Sequence, residues 1–391
     1  MRKFISLVAC IAIFLGLCTV SFAETSTKTR AETEITDTQN FSVNANSAIL
    51  MERESGKIIF SQNEKEKASP ASVTKIMTLL LVAEAIKDEK ITPSDPVTIS
   101  EYASSMGGSQ VFLEAGEKMS VEELLKCTII ASANDAAVAL AEYVAGTESA
   151  FVSLMNERAR ELMMTNTYFE NVTGLDDTTK EHLTTAEDIA LMSRELLEHD
   201  IIKKYSCVWQ DTIRNGEFTL TNTNRLVRFY DGCNGLKTGS TDKAGYCISA
   251  TAERDGMELI AVIMGAPTRD IRNAAAKSLL DFGFSNYALF EREAGTLEKI
   301  RVSFGQKDEA ELCTNGIKIL VSKGDLKKVN VKYDIPDKIT APIYKGEAIG
   351  KLYFYIGEEK IGECEVYSSE AVKSISFLDL FIRLVKNILS P

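Results

Sequence analysis

The chain has 391 residues, and its 44 Lys and Arg against 56 Asp and Glu give a formal net charge of −12. This acidic balance offers no basic surface for nucleic acid, and the sequence contains no glycine-rich phosphate loop, so nucleic-acid and nucleotide functions are excluded. The length is sufficient for more than one domain.

Histidine content argues against two common classes of hydrolase. The only two histidines are His182 and His199, and no H-E-x-x-H segment occurs, which disfavours a zinc peptidase. Neither histidine stands in a recognisable Ser-His-Asp context. We therefore expect both at the surface or at helix ends, and we expect catalysis without a metal or cofactor.

The N-terminal residues 1–23 have the pattern of a secretory signal peptide. Arg2 and Lys3 precede an apolar run over residues 4–20, and small residues suited to cleavage follow. An uncleaved anchor is the alternative, although the run is short for a membrane span. Polar residues 24–46 predict a flexible leader before a first strand at 47–51.

The first catalytic motif is Ser72-Val73-Thr74-Lys75, which opens an apolar helical run over residues 76–82. Residues three apart on a helix share a face, so the Lys75 amine can reach the Ser72 hydroxyl. A neutral lysine can take the serine proton, and burial or a neighbouring cation favours the neutral form. In isolation this pattern would be a helix cap; the motifs downstream favour a nucleophile and its base.

The second motif is Ser132-Ala133-Asn134, in a short connection between two helical segments. Ser132 can relay a proton between Lys75 and a second lysine. The Asn134 amide can hold Lys75 and also bind a substrate amide, because it both donates and accepts.

The third motif, Lys237-Thr238-Gly239, lies in a predicted strand. Lys237 can supply the cation that keeps Lys75 neutral. Lys237 and Thr238 can bind a terminal carboxylate, and Gly239 allows an extended peptide to approach the strand backbone. A turn before a hairpin is the alternative for this segment alone.

Together the three motifs resemble those of the serine-type D-alanyl-D-alanine carboxypeptidases, the low-molecular-mass penicillin-binding proteins of peptidase family S11. Segments 68–78, 134–136, 171–175 and 183–188 extend the resemblance over nearly the whole mature length. Ala133 departs from the aspartate found at the middle of the second motif in some branches, which leaves that position without an assigned role.

The resemblance implies that Ser72 is acylated by the penultimate D-alanine carbonyl of a peptidoglycan pentapeptide. Terminal D-alanine is then lost, the acyl-enzyme is hydrolysed, and β-lactams trap the same serine. It implies an oxyanion hole made of the Ser72 and Ser240 backbone amides, and it places Arg225 and Arg269 in contexts similar to arginines that support carboxylate binding.

Two other functions remain open. A β-lactamase would share the nucleophile but needs a glutamate to orient the deacylating water, and Glu170 does not have that context. A noncatalytic peptidoglycan-binding relative would lack Ser72, Lys75 or Lys237, whereas all three are present.

The predicted fold class is α+β, with a β-lactamase/transpeptidase-like catalytic domain at residues 47–290, formed by an antiparallel sheet flanked by helices. Alternating segments predict a small all-β domain at 296–370. Residues 374–391 have a wide apolar face with Arg383 and Lys386 among the polar positions, which predicts an amphipathic helix. A core or dimer helix would look similar; the resemblance favours a membrane anchor, hence peripheral attachment to the outer face of the cytoplasmic membrane.

Six cysteines follow the signal sequence, an even number compatible with disulfides, but their spacing assigns no pairs. Cys127 and Cys247 fall in apolar stretches, so we expect both to be core residues.

Overall fold

A computed structural model describes residues 41–177 and 179–389. The predicted signal peptide and the leader up to residue 40 lie outside the described residues. The end of the predicted leader contacts a helix and a strand: the Phe41 ring stacks on Phe282, in the helix Arg269–Asn286, with centroids 4.9 Å apart, and the Gln62 amide, in the strand Ile58–Gln62, donates to the carbonyls of Val43 and Ala45.

The strands are β1 (Ser47–Glu52), β2 (Ile58–Gln62), β3 (Pro96–Thr98), β4 (Lys118–Ser120), β5 (Gln210–Ile213), β6 (Phe218–Thr221), β7 (Cys233–Thr241), β8 (Gly245–Arg254), β9 (Met257–Ala266), β10 (Tyr287–Arg292), β11 (Gly295–Thr296), β12 (Ile300–Ser303), β13 (Glu309–Ala310), β14 (Leu312–Thr314), β15 (Ile317–Ser322), β16 (Val329–Asp334), β17 (Lys338–Thr340), β18 (Ala348–Ile356) and β19 (Glu359–Ser368). The helices are α1 (Lys75–Lys87), α2 (Glu101–Ser104), α3 (Val121–Ile130), α4 (Asn134–Ala145), α5 (Glu148–Glu161), α6 (Ala186–Leu196), α7 (Asp200–Ser206), α8 (Leu226–Phe229), α9 (Arg269–Asn286) and α10 (Phe377–Leu389). Short 3₁₀ turns span Ala71–Thr74, Arg214–Gly216 and Leu326–Lys328.

A five-stranded antiparallel sheet has the order β2-β1-β9-β8-β7, so β7, which carries the third motif, is an edge strand. Strands β8 and β9 are joined by Asp255 and Gly256, both at positive φ, as a two-residue hairpin turn of the right-handed sheet requires. The middle residues of both strands are buried, because helices cover both faces of the sheet. The predicted antiparallel sheet flanked by helices is confirmed.

Helix α1 is the centre of the helical layer and packs against α3, α4, α5 and α6. Its side chains are buried around most of the helix, including Ile76, Met77, Leu80 and Val82. Each such aliphatic side chain contributes about 1.5–3 kcal/mol relative to an exposed one. Burial of most of the helix holds its N-terminus, where the first motif lies, in a fixed position beside the sheet.

The C-terminal part of the chain is all β, as predicted, and has its own core. Its sheets have the orders β11-β14-β19-β18-β16 and β13-β12-β17, and β10 pairs with β15. Strands β18 and β19 form a hairpin that turns at Gly357. The predicted domain boundary at residue 290 falls within β10, which pairs with this C-terminal part.

The predicted C-terminal helix is present as α10. Phe377, Leu378 and Phe381 are exposed on it, at 85%, 67% and 56% of their full surface. Among the described residues, no helix is both long and apolar enough to cross a bilayer. All six described cysteines are free thiols, and Cys127 and Cys247 are buried as expected.

Candidate active site

The predicted nucleophile, Ser72, lies on a strained turn that leads directly into α1. Ala71 has a φ of +48°, which is uncommon for a residue other than glycine. The Thr74 hydroxyl donates to the Ala71 carbonyl at 2.8 Å. Gly174 packs so closely that a Cβ there would lie 1.8 Å from the same oxygen. These contacts hold Ser72 half-buried at the surface of the turn, with Lys75 fully buried behind it.

Lys75 has three polar neighbours. Its Nζ lies 3.1 Å from the Ser72 Oγ, 2.6 Å from the Asn134 Oδ1 and 2.8 Å from the Thr173 carbonyl oxygen. The Asn134 amide is oriented by its Nδ2, which donates to the Gly107 carbonyl at 2.6 Å. Asn134 Oδ1 and the Thr173 carbonyl can only accept, so both must receive an N–H from Lys75.

The electrostatic surroundings favour a neutral Lys75. Burial first, and then the positive charge of Lys237, hold the pKa of Lys75 well below its ordinary value, against the opposing effect of buried Asp135. A neutral amine has two N–H groups and one lone pair. Because Asn134 and Thr173 take the two N–H groups, the lone pair remains for the Ser72 hydroxyl proton.

Lys237 and Ser132 form the facing part of the site. Lys237 is buried, and its Nζ donates to the Ser132 Oγ at 2.6 Å and to the Thr238 carbonyl at 2.9 Å. Burial, followed by the charge of Arg272, lowers the pKa of Lys237 to about 7. Ser132 has a φ of +61°, and within the described part of the chain it has no hydrogen bond to Lys75.

Strand β7 forms one wall of the site next to Ser72. A Cβ on Gly239 would lie 2.7 Å from the Ser72 amide nitrogen, so only glycine permits this approach. The start of β7 is covered on its edge, where the Ser206 hydroxyl and the Asn224 amide bond to the carbonyls of Asn234 and Gly235. Further along, Ser240 is exposed. The end of this edge strand, at Ser240 and Thr241, is thus accessible.

The three arginines near the site differ in placement. Arg225 and Arg269 are exposed, and neither guanidinium forms a hydrogen bond or ion pair within the described part of the chain; their role in substrate binding stays a prediction. Arg272, one turn into α9, is 3% exposed, and its Nη1 donates to the Cys247 carbonyl at 3.4 Å. Its charge acts on Lys237, and sequence reasoning missed it.

The expectation of a surface position is wrong for His182, which is fully buried. Its Nδ1 accepts the Glu170 N–H at 3.0 Å, which leaves the proton on Nε2, 2.8 Å from the Thr74 Oγ1. Burial lowers its pKa to about 4, so the ring is neutral at ordinary pH and supports the nucleophile turn. His199 is the residue before α7, at a helix end as expected.

The polar groups of the site are lysines, hydroxyls and amides. Among the residues the structure describes, no group of three His, Cys, Asp or Glu side chains is arranged to hold a metal ion.

Comparison with known proteins identifies the family. The family model for D-alanyl-D-alanine carboxypeptidase (Peptidase S11) matches residues 32–268, which is more than half of the chain. The chain belongs to the D-alanyl-D-alanine carboxypeptidase family. A second family model, the C-terminal domain of penicillin-binding protein 5, matches residues 284–374, which accounts for the all-β C-terminal part.

Individual members of the family match over most of their length. D-alanyl-D-alanine carboxypeptidase DacF of Bacillus subtilis is 42% identical over 379 residues, 95% of this chain and 96% of that protein. Penicillin-binding protein 5 of Haemophilus influenzae superposes with a TM-score of 0.74 at 32% identity, over 85% of this chain and 99% of that one. Penicillin-binding protein D2 of Listeria monocytogenes, solved in an ampicillin-bound form, has a TM-score of 0.58 at 31% identity, over 63% of this chain and 99% of that one.

Proposed function

We propose that the chain is a serine D-alanyl-D-alanine carboxypeptidase that removes the terminal D-alanine from peptidoglycan pentapeptides. Family membership supports the reaction. The observation that carries the serine mechanism is the hydrogen-bond set of Lys75, whose two obligate acceptors leave its lone pair for Ser72.

In the proposed mechanism, neutral Lys75 takes the Ser72 proton as the Oγ attacks the penultimate D-alanine carbonyl. The oxygen of the tetrahedral intermediate accepts hydrogen bonds from the Ser72 and Ser240 backbone amides. Collapse breaks the peptide bond, and the leaving amine takes a proton from Lys75 or through Ser132. Water then hydrolyses the ester on Ser72, and no cofactor takes part.

Lys237 has two roles in this proposal. Together with Thr238 it binds the terminal carboxylate of the substrate, and its charge disfavours protonation of Lys75. The Thr238 hydroxyl, which donates to the Thr223 Oγ1 at 2.8 Å, can turn to the carboxylate. Gly239 keeps this wall of the site against the nucleophile turn.

β-Lactams fit the same site because their strained amide presents a carbonyl to Ser72 and a carboxylate to Lys237. The ampicillin-bound form of the Listeria relative supports this extension. Fast hydrolysis of the adduct, as in a β-lactamase, would need a glutamate that orients the water, and Glu170, the candidate considered from the sequence, is not placed for that role. The Glu170 carboxylate is exposed and accepts the backbone N–H groups of Lys180 and Glu181.

The proposed location is the outer face of the cytoplasmic membrane. The signal sequence supports export, and the exposed apolar residues of α10 support peripheral attachment. Deletion of residues 374–391 is expected to move the protein from the membrane fraction to the soluble fraction. An unchanged membrane fraction would refute the anchor and leave the catalytic proposal intact.

The catalytic proposal is tested by incubating the signal-free protein with an acyl-D-Ala-D-Ala peptide and measuring D-alanine, alongside penicillin hydrolysis. We expect D-alanine release by the wild type, none by Ser72→Ala, and slow penicillin turnover. Rapid penicillin hydrolysis without D-alanine release would indicate a β-lactamase. The absence of both D-alanine release and penicillin hydrolysis would indicate a noncatalytic peptidoglycan-binding relative.

A further inference from the structure

Asp176 connects the two walls of the active site. Its Oδ2 accepts hydrogen bonds from the Ser69 hydroxyl at 3.0 Å and from the Thr241 hydroxyl at 2.5 Å. Ser69 precedes the nucleophile by three residues, and Thr241 directly follows Ser240 on β7. One carboxylate oxygen therefore bridges the segment that carries Ser72 and the strand that carries Ser240.

Both hydroxyl donors are held in place. Ser69 is 4% exposed, and a buried hydroxyl without a partner is costly. The Thr241 Oγ1 also accepts the Ala244 N–H at 3.0 Å, so its own proton is directed to Asp176. The bridge thus has a defined geometry at both ends.

Asp176 itself projects from a rigid turn. The Asn171 Oδ1 accepts the N–H groups of Thr173 and Gly174, and the Asn171 Nδ2 donates to the Leu175 carbonyl. Gly174, at a φ of +80°, packs directly on the Ala71 carbonyl. The turn is therefore fixed to the nucleophile segment, and Asp176 extends from it to β7.

We propose that Asp176 is a positioning residue that sets the separation between the Ser72 and Ser240 amides of the oxyanion hole. The inference rests on the proposed function. Two amides on different elements stabilise one oxyanion only if both lie at hydrogen-bond distance from it. Gly239 permits the close approach of the two walls, and Asp176 prevents them from separating.

This role has a specific kinetic signature. Loss of the bridge weakens stabilisation of the transition state and leaves ground-state binding of substrate nearly unchanged. Loss of an oxyanion donor lowers the rate by about 10²–10³-fold. A displaced donor should cost less, so we expect the acylation rate constant of Asp176→Ala to fall about 10–100-fold, with Kd for penicillin changed less than about threefold.

The matched control is Asp177→Ala, since Asp177 is the adjacent aspartate and is exposed. A second pair keeps the test valid if Asp176→Ala does not fold. Thr241→Val removes the donor to Asp176, whereas Thr241→Ser keeps a hydroxyl. If the two residues act as one bridge, the double variant of Asp176→Ala and Thr241→Val should be no slower than the slower single variant.

The deciding experiment compares an ester substrate with its thiono analogue, in which sulfur replaces the carbonyl oxygen. Sulfur is larger and a weaker hydrogen-bond acceptor, so an intact oxyanion hole favours the oxygen substrate. We expect the ratio of acylation rates, oxygen over sulfur, to fall in Asp176→Ala and Thr241→Val, and to stay near the wild-type value in Asp177→Ala and Thr241→Ser.

Three outcomes would overturn the inference. One is an Asp176→Ala protein that is acylated like the active wild type. Another is a slower variant whose oxygen-to-sulfur ratio is unchanged, which would indicate a general structural role. A wild type that is not acylated at all would overturn the proposed function and this inference together.

Discussion

Lysines in two regions of the molecule have opposite surroundings. In the active site, Lys75 and Lys237 are 0% and 1% exposed, and neither forms an ion pair within the described part of the chain. In the C-terminal β region, Lys328 is exposed and Lys351 is partly exposed, and they pair with Asp325 and Glu363 at 2.8 Å and 2.7 Å. Burial lowers the pKa of the first two, whereas the hydrogen bond to Glu363 raises that of Lys351.

The contrast distinguishes lysines that can take part in a reaction from lysines that only keep a surface charged. A lysine that keeps its charge in solvent cannot act as a base near neutral pH, and a surface ion pair adds little stability. A buried lysine without a carboxylate partner loses solvation and becomes a base. Its retention in the core is best explained by the reaction.

The largest expected effect is that of Lys75→Met, which removes the base and keeps a similar volume. Acylation by penicillin, followed as intact mass against time, should slow by about 10²–10⁴-fold. The fold should be retained, with a cooperative urea transition. An acylation rate near that of the wild type would contradict the assignment of Lys75 as base.

The buried histidine makes stability depend on pH. Burial lowers the pKa of His182 from 6.5 to about 4, so between these pH values the unfolded chain binds the proton more readily. The contribution of neutral His182 is complete above about pH 6.5 and is lost as the pH falls towards 4. The loss amounts to roughly 3 kcal/mol.

Urea unfolding at pH 7 and pH 4.5 measures this dependence. His182→Gln, which cannot titrate, should show a smaller decrease in stability between the two pH values than the wild type. His199→Gln is the comparison variant. Burial lowers the pKa of His199 as well, but His199 is 9% exposed at a helix end whereas His182 is fully buried, so His199→Gln should change the pH dependence less than His182→Gln. Equal decreases in the wild type and His182→Gln would refute the effect.

Arg272 provides a test of the surroundings of Lys237, the second buried lysine. After burial, its charge is the next cause that keeps the pKa of Lys237 at about 7. Arg272→Gln should therefore raise that pKa and move the Lys237-dependent limb of the acylation pH profile to higher pH. Lys277→Gln, an exposed cation on the same helix, should leave the profile unchanged. A profile unmoved by Arg272→Gln would contradict the coupling.

The smallest expected effect is in the C-terminal region. Lys351→Met breaks an exposed ion pair with Glu363. We expect the same acylation rate as the wild type and an indistinguishable urea midpoint, because solvent already screens both charges. A clearly lower acylation rate or urea midpoint would show that this surface ion pair contributes to activity or stability, contrary to the comparison of the two regions.

Features that depend on a short stretch of sequence could be predicted from the sequence alone. The three motifs, the first strand and the β18–β19 hairpin each depend on residues close together in the chain. The burial of His182 depends on segments that fold over it from both sides. The register of α9 decides that Arg272, one turn from its start, faces the sheet while Arg269 is exposed. Such features follow from packing between distant segments, which one sequence does not reveal.

The central claim is that Ser72 is the residue acylated, and peptide mapping tests it directly. The protein is treated with penicillin and digested with trypsin, and the peptide of residues 68–75 is fragmented. That peptide contains Ser69 and Ser72, so fragment masses distinguish them. We predict the penicilloyl group on Ser72 alone; an adduct on Ser69, on a serine elsewhere in the chain, or on none would contradict the proposed mechanism.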